Sequence, residues 1–190
     1  MRIPLHLLVP GLIAAFLAGV VFSTGGLSPT GLAWLSGTQP PATLPLNNAQ
    51  VAFCPSPQCV SLTESAIDAA QQRIDVAMYS FTNDELGQAL VRAKQRGVEV
   101  RVILEKQQST TQYSELELLK NANIPVRIDS NPQLMHHKFA VIDSEFVITG
   151  SMNWTANGVK ENNENVLVIH SPELNAQFAQ EFETLWKEFA

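Results

Sequence analysis

The sequence predicts one α/β domain that follows an N-terminal hydrophobic segment. First, a chain of 190 residues that is 45% hydrophobic and 16% charged has the composition of a globular protein, which excludes collagenous, coiled-coil and wholly disordered classes. Second, short β-type runs alternate with stretches of helical spacing after residue 51. Third, the last twenty residues carry one apolar stripe at helical spacing. Together these features favour a sheet covered by helices.

The chain opens with a targeting segment. Residues 3–22 are apolar apart from His6 and two prolines, and this segment contains no acid. About twenty residues at ~1.5 Å each just span a bilayer core, so residues 1–22 are expected to be a signal peptide or a membrane anchor. Residues 23–50 are rich in Gly, Pro, Ser and Thr and predict a linker. The domain is expected at residues 51–190, exported to the periplasm or medium, or anchored by residues 3–22.

The first half of the domain predicts alternating helices and strands. Residues 61–64 and 82–85 match the capping-box pattern, so a helix is expected to begin at each. The β-type runs at residues 75–80 and 98–104 predict two strands, the second of which follows Gly97. The order of strand, helix, strand, helix, strand predicts a parallel core.

The second half predicts a helix at residues 113–121, further strands and a final helix. The strands are expected at a short run ending with Ile128, and at residues 135–142, 146–149 and 165–169. Ser171 is expected to cap the final helix and Pro172 to lie in its first turn. The apolar stripe of this helix consists of Leu174, Phe178, Phe182, Leu185 and Phe189.

Charge and rare residues limit the function. With 12 basic and 18 acidic residues the net charge is −6, so no global positive field attracts nucleic acid or an anionic bilayer, and any phosphate site is expected to be local. Four histidines leave little material for a histidine-rich metal site. In an exported domain, Cys54 and Cys59 favour a local disulfide over free thiols or a metal site.

The most informative stretch begins at His136. In a strand, side chains two apart share a face, so His136 and Lys138 are expected to project together, while His137 and Asp143 point the other way. A neutral imidazole can attack phosphorus and an ammonium can hold phosphoryl oxygens. A turn after this strand would bring Ser151 and Asn153 beside the pair as further donors. This set predicts phosphoryl transfer without a metal.

The same residues carry a family resemblance. His136, Lys138 and Asp143 match the pattern H-x-K-x4-D, and Gly150, Ser151 and Asn153 match the continuation G-S-x-N. From about residue 53 to residue 189 the chain resembles the phospholipase D superfamily, most closely its short bacterial nucleases with one motif copy. The resemblance implies a mixed sheet flanked by helices on both faces, a phosphohistidine intermediate and no cofactor. It also implies that Glu164 orients the imidazole.

A second histidine is needed to protonate the leaving alcohol. His137 faces away, His170 lies on another strand and His6 lies in the targeting segment. The superfamily joins two motif copies at a two-fold axis, so the resemblance implies a homodimer that shares one site. For His137 and His170 we expect ordinary surface roles, and for Asp143 a turn-stabilising role rather than a catalytic one.

The substrate is the least determined feature of the sequence. Nucleic acid is favoured over phospholipid, with an inactive binding module of the same fold as a third hypothesis. The chain retains all of the expected catalytic groups, namely His136, Lys138, Ser151, Asn153 and Glu164, which argues against the inactive module. Lys106 is a weak substrate-contact candidate because it follows a strand end, and Trp154 could stack on a base, touch lipid or simply pack. A narrow basic cleft is expected from Lys94, Arg96, Arg101, Lys106, Lys138 and Lys160.

Overall fold

The computed structural model describes residues 48–190. The predicted signal peptide or anchor, and the predicted linker as far as residue 47, lie outside the described residues. Among the helices of residues 48–190, none is long and apolar enough to cross a membrane.

A seven-stranded mixed sheet forms the centre of the domain, in the order β1-β7-β6-β5-β2-β3-β4. Strands β2, β3 and β4 are parallel, and the remaining neighbours are antiparallel. The strands are β1 (Ala49–Cys54), β2 (Arg73–Met78), β3 (Glu99–Leu104), β4 (Val126–Ile128), β5 (Lys138–Ile142), β6 (Phe146–Gly150) and β7 (Glu164–His170). The helices are α1 (Pro57–Ala69), α2 (Asp84–Gln95), α3 (Leu116–Asn121), α4 (Ala156–Lys160) and α5 (Pro172–Glu188), with a 3-10 turn at Gln108–Thr110.

Helices cover both faces of this sheet, as predicted. The larger core lies under α1 and α2, where Ile67 and Leu90 pack with alternate strand residues such as Val76. A smaller core lies under α5 on the opposite face. Its buried members are Ala77, Ile103, Met135, Phe139, Val141, Phe182, Leu185 and Phe189.

Ion pairs supplement the smaller core under α5. Glu183 of this helix binds the guanidinium groups of Arg73 at 2.8 Å and Arg101 at 2.6 Å. Asp75, on the strand below, pairs with the same two arginines at 2.8 and 2.7 Å. The arginines of β2 and β3 therefore hold α5 against the sheet.

Two helix starts differ from the sequence prediction. Helix α1 begins at Pro57, where the Ser56 side chain accepts a hydrogen bond from the Gln58 amide at 3.2 Å. Ser61, the expected cap, lies inside this helix because the proline and its capping serine begin it one turn earlier. Helix α2 is capped by Asn83 instead of Thr82, since the Asn83 carboxamide accepts from the Leu86 amide at 3.0 Å.

The strand before the first helix was predicted without bounds, and helix α4 was not predicted. Residues 49 and 50 were assigned to the linker, but they begin an edge strand that pairs antiparallel with β7. An edge strand has one partner and one largely solvated face, so its apolar pattern is weak. The five-residue helix α4 lies in an Asn-rich loop and is too short to show helical periodicity.

Several boundaries shift by a few residues. Strand β2 runs from 73 to 78 and not from 75 to 80, and helix α3 begins at 116 and not at 113. Strand β5 begins at Lys138, where it pairs with Met78 at the end of β2, so His136 precedes the regular ladder.

Asp143 fastens β5 to the start of β2. Its carboxylate accepts hydrogen bonds from the backbone amides of Gln71, Gln72 and Arg73 at 3.1, 2.8 and 2.9 Å. Its backbone adopts φ = +52° at the turn into β6, a conformation that aspartate tolerates better than most residues. The contacts of Asp143 are thus those of a structural residue at the far end of the sheet from Lys138.

A buried carboxyl group packs against α2. Glu115 is only 4% exposed, and burial together with a hydrogen bond to Asp84 raises its pKa to about 7. It lies so close to Gly87 that a Cβ there would come within 2.7 Å of the Glu115 Oε2 atom, which explains a glycine inside a helix.

We predict that Glu115→Gln removes part of the pH dependence of stability. The folded state holds the Glu115 proton up to about pH 7, whereas the unfolded chain releases it near pH 4.5. The stabilisation from this group is therefore full below pH 4.5 and is lost as pH rises through 7. In urea unfolding, the free energy of unfolding of the variant minus that of the wild type should rise by on the order of 2 kcal/mol between pH 5 and pH 8. Parallel pH profiles would contradict the assignment.

Candidate active site

The predicted catalytic residues lie on adjacent strands at one edge of the sheet. Antiparallel pairing brings the end of β2, the start of β5, the end of β6 and the start of β7 to this edge. Met78 is paired with Lys138, and Gly150 with Val166. We call this edge, with the residues that project from it, the active edge.

His136 and Lys138 are in direct contact there. The Lys138 Nζ atom lies 3.0 Å from Nδ1 and 3.3 Å from Nε2 of the His136 ring, and it donates to the His136 carbonyl oxygen at 2.9 Å. The Tyr79 ring packs beside the imidazole, with 4.4 Å between the two ring centroids. The Lys138 ammonium lies 5.0 Å from the centroid of the Tyr79 ring. The Lys138 ammonium and the Tyr79 ring thus fix the imidazole on an otherwise exposed surface.

The surroundings favour the neutral imidazole. Partial desolvation, followed by the positive charge of Lys138, lowers the pKa of His136. Burial also lowers the pKa of Lys138, and the carboxylate of Glu164 opposes this shift. A neutral histidine beside an ammonium can act as a nucleophile toward a phosphorus atom whose oxygens the ammonium holds.

Ser151 and Glu164 form a second pair. The Ser151 hydroxyl donates to the Glu164 carboxylate, which also accepts from the Asn162 side chain at 3.2 Å. The Ser151 oxygen accepts in turn from the Asn165 amide at 3.1 Å. Across residues 48–190, the Glu164 carboxylate accepts hydrogen bonds from Ser151 and Asn162 and none from His136.

Gly150 shapes the turn that presents Ser151. Its φ is +150°, and a Cβ at this position would collide with the carbonyl oxygen of Asn165. That same oxygen accepts from the amides of Ser151 and Met152 at 3.1 and 3.2 Å. The chain therefore wraps around one carbonyl of β7, which needs glycine at residue 150.

Asn153 and Trp154 follow this turn with different surroundings. Asn153 is half-buried, and its Oδ1 atom is buried without a hydrogen-bond partner within the described residues. Trp154 is 1% exposed and packs edge-to-face on Phe81 with centroids 5.0 Å apart. Of the three roles considered for Trp154, packing is the one that its surroundings support, because its ring belongs to the core.

The expected basic cleft is also not formed as predicted. Arg96 binds Asp68 and the carbonyl oxygen of Ile67. Arg101, whose side chain is 11% exposed, binds Asp75 and Glu183. Both arginines stabilise helix packing, so they are not available to a phosphate backbone. Lys106 is exposed in the loop after β3, and its side chain has no ion pair or hydrogen bond in the part of the chain described.

His137 and His170, the other two histidines within residues 48–190, make surface contacts. The Nε2 atom of His137 lies 3.5 Å from Glu181 on α5, and that of His170 lies 3.8 Å from Glu145. Between residues 48 and 190, no group of three or more His, Cys, Asp or Glu side chains is arranged to hold a metal ion.

Two features of the active edge escaped the sequence analysis. Tyr79, which packs on His136, was not singled out, although an aromatic residue inside the predicted strand 75–80 was a usable signal.

The second missed feature is a contact between two sulfur atoms. Cys54 and Cys59 form a disulfide, and the Cys54 sulfur lies 3.6 Å from the sulfur of Met152, between Ser151 and Asn153.

Comparisons with known proteins place the chain in a family. Residues 64–186 match the family described as "Cardiolipin synthase, PLD-like domain". "Mitochondrial cardiolipin hydrolase" of Homo sapiens is 40% identical over 124 residues, which are 65% of this chain and 49% of that protein. The Chlamydomonas reinhardtii protein of the same name is 37% identical over 134 residues, 70% of this chain and 60% of that protein. The chain thus spans about half to three-fifths of these relatives.

Solved structures extend the likeness to most of the domain. Nuc from Salmonella typhimurium, described as a phospholipase D family member, superposes with a TM-score of 0.68 at 34% identity, covering 73% of this chain and 93% of that one. NucT from Helicobacter pylori gives 0.67 at 23% identity, with 73% and 95% covered, and supports the fold alone. The sequence resemblance is confirmed, and the chain belongs to the phospholipase D superfamily.

Proposed function

We propose that this protein is a phosphodiesterase that hydrolyses its substrate through a phosphohistidine on His136. The observation that carries the proposal is the contact between the His136 imidazole and the Lys138 ammonium on an exposed edge. An ammonium that donates to an imidazole nitrogen requires that nitrogen to carry a lone pair, which is the form that attacks phosphorus.

In the first step, an imidazole nitrogen of His136 bonds to phosphorus and the bond from phosphorus to the leaving oxygen breaks. A second, protonated imidazole gives its proton to that oxygen. In the second step, water attacks the phosphohistidine, its proton passes to the second imidazole, and the phosphorus–nitrogen bond breaks. Lys138 and Asn153 serve as donors to the phosphoryl oxygens. The single hydroxyl hydrogen of Ser151 is donated to Glu164 in the free protein, so Ser151 joins these donors by turning that hydrogen to the bound phosphate.

The second imidazole is assigned to His136 of another copy of the chain. Within one chain, His137 and His170 contact Glu181 and Glu145 instead. The edge strand β1 supports a homodimer, because Val51 and Phe53 are 53% and 70% exposed. Their strand ends at Cys54, which is paired with Glu164, and the side chains of Val51 and Phe53 project from the opposite face of the sheet. Exposed apolar side chains on an edge strand that ends at an incomplete site are suited to a second copy.

Nucleic acid is the leading substrate. His136 is exposed at the edge of a sheet, so a polymer strand can pass across it without entering a closed pocket. The resemblance to short bacterial nucleases favours the same class. With Arg96 and Arg101 bound elsewhere, attraction to a polyanion depends on a few lysines, Lys138 among them, and we expect cleavage of a single strand to weaken steeply with salt.

Phospholipid is the second candidate, favoured by a cavity beside His136. This cavity of about 320 Å³ is lined in part by Leu134, Met135, Leu185 and Phe189, and Leu134 is 56% exposed. Its apolar wall could take the glycerol or acyl part of a lipid. The relatives named cardiolipin hydrolase point the same way. An inactive binding module remains the third hypothesis, and any turnover by His136 rejects it.

We propose an exported location, either free in the periplasm or medium or held at a membrane by residues 3–22. The apolar N-terminal segment supports export, and the disulfide is typical of oxidising compartments.

We predict that His136→Ala lowers kcat on bis(p-nitrophenyl) phosphate by roughly a thousandfold or more, since it removes the nucleophile. His137→Ala is the matched control. Its side chain contacts Glu181 and the ring of Phe139 and forms no hydrogen bond with Lys138 among the described residues, so kcat should stay within about threefold of the wild type. Equal losses in both variants would contradict the assignment of His136.

We predict that the protein is a dimer in sedimentation equilibrium and that Phe53→Lys shifts it toward an inactive monomer, because a charge would be buried at the interface. Tyr113→Lys is the control, since Tyr113 is similarly exposed at 73% but lies in a loop and not on β1. A wild-type monomer with full activity would exclude the shared site.

A substrate panel tests the proposed function directly. Single-stranded DNA, duplex DNA, RNA, phosphatidylcholine and cardiolipin are offered in parallel, with excess EDTA and at low salt. We expect single-stranded DNA to be cut faster than duplex DNA. The rate should be the same with and without EDTA, because no step requires a metal. Head-group release from vesicles with no nucleic-acid cleavage would favour the lipid candidate, and recovery only with added magnesium or zinc would refute the mechanism.

A further inference from the structure

We propose that the Cys54–Cys59 disulfide positions the active edge, so that turnover depends on the oxidation state of these cysteines. The inference rests on the proposed function. The disulfide closes a short loop between the end of β1 and the first turn of α1. This loop contacts two different parts of the catalytic set.

The first contact is to the turn that carries Ser151 and Asn153. The Cys54 sulfur lies 3.6 Å from the Met152 sulfur, and the two residues are 4% and 2% exposed. Met152 stands between the two predicted phosphate donors in the chain. Because the contact is buried and close-packed, a displacement of Cys54 must move Met152 and with it the adjoining donors.

The second link is the strand pairing with Glu164, the residue whose carboxylate binds Ser151. In the antiparallel pairing of β1 with β7, Cys54 is directly opposite Glu164, so the two side chains share a face of the sheet. The same loop donates from the Ser56 amide to the carbonyl oxygen of Val159 on α4, at 3.3 Å. One loop thus supports both Ser151 and its partner Glu164.

Reduction should loosen this support without unfolding the domain. A dithiol reductant supplies two electrons and two protons, the sulfur–sulfur bond breaks, and two thiols form. A disulfide oxidant removes the same two electrons and protons when the bond is restored. Cys59 stays fixed in α1, which is capped by Ser56 and packed in the larger core. The end of β1 loses its covalent tie, and β1 is an edge strand with one neighbour.

The consequence is control by compartment. A phosphodiesterase made in a reducing compartment would be weakly active there and would gain full activity after export to an oxidising one. Export would then both bring the protein to its substrate and raise its activity.

The test compares oxidised, reduced and reoxidised full-length protein with bis(p-nitrophenyl) phosphate. We expect dithiothreitol to lower kcat at least about fivefold with little change in KM, and oxidised glutathione to restore it. A double variant, Cys54→Ala with Cys59→Ala, should have the low kcat and no response to either reagent. Met152→Leu keeps the volume at the contact and should retain the response.

Two results would overturn the proposal. One is an equal kcat in the oxidised and reduced states. The other is a loss of kcat that follows a loss of folded protein by circular dichroism, or of dimer by sedimentation, to the same extent. If the oxidised protein hydrolyses no phosphodiester, the proposed function fails. The positioning role is then judged by calorimetry with orthovanadate, which mimics the five-coordinate transition state, and reduction must weaken its binding by about the same factor.

Discussion

The pairing register of β5 with β2 decides which side chains reach the active edge. Side chains alternate between faces, so a slip by one residue would send Lys138 to the face under α5 and bring a phenylalanine in its place. Asp143 prevents such a slip, because its carboxylate holds three successive amides at the start of β2. The Asp143 carboxylate at one end of the sheet therefore determines the position of Lys138 at the other end.

Much of this arrangement follows from the sequence. The order of strands and helices, the final helix capped by Ser171, and the shared face of His136 and Lys138 all depend on local periodicity and capping. The composite pattern of histidine, lysine, serine and asparagine was enough to identify the family. These features are local in the chain, and a single sequence records local preferences well.

The features that were missed depend on contacts between distant segments. Trp154 lies in a loop by sequence, yet its isolated bridge with Phe81 places it in the core. Arg101 is an ordinary cation in the sequence, and only the packing of α5 shows that it is paired with Glu183. Strand β1 has little pattern of its own and becomes a strand by pairing with β7, more than a hundred residues later in the chain.

The two unequal cores have a consequence for inactivation by heat. Met135, next to His136, is buried only in the smaller core under α5, whereas most of the sheet is stabilised by the larger core on the other face. Regions with few buried contacts open first in the native state. When α5 loosens, the segment before β5 loses its anchor and the imidazole leaves the ammonium, although the remaining sheet stays folded. The protein should therefore lose the proposed activity at a lower temperature than it loses its secondary structure.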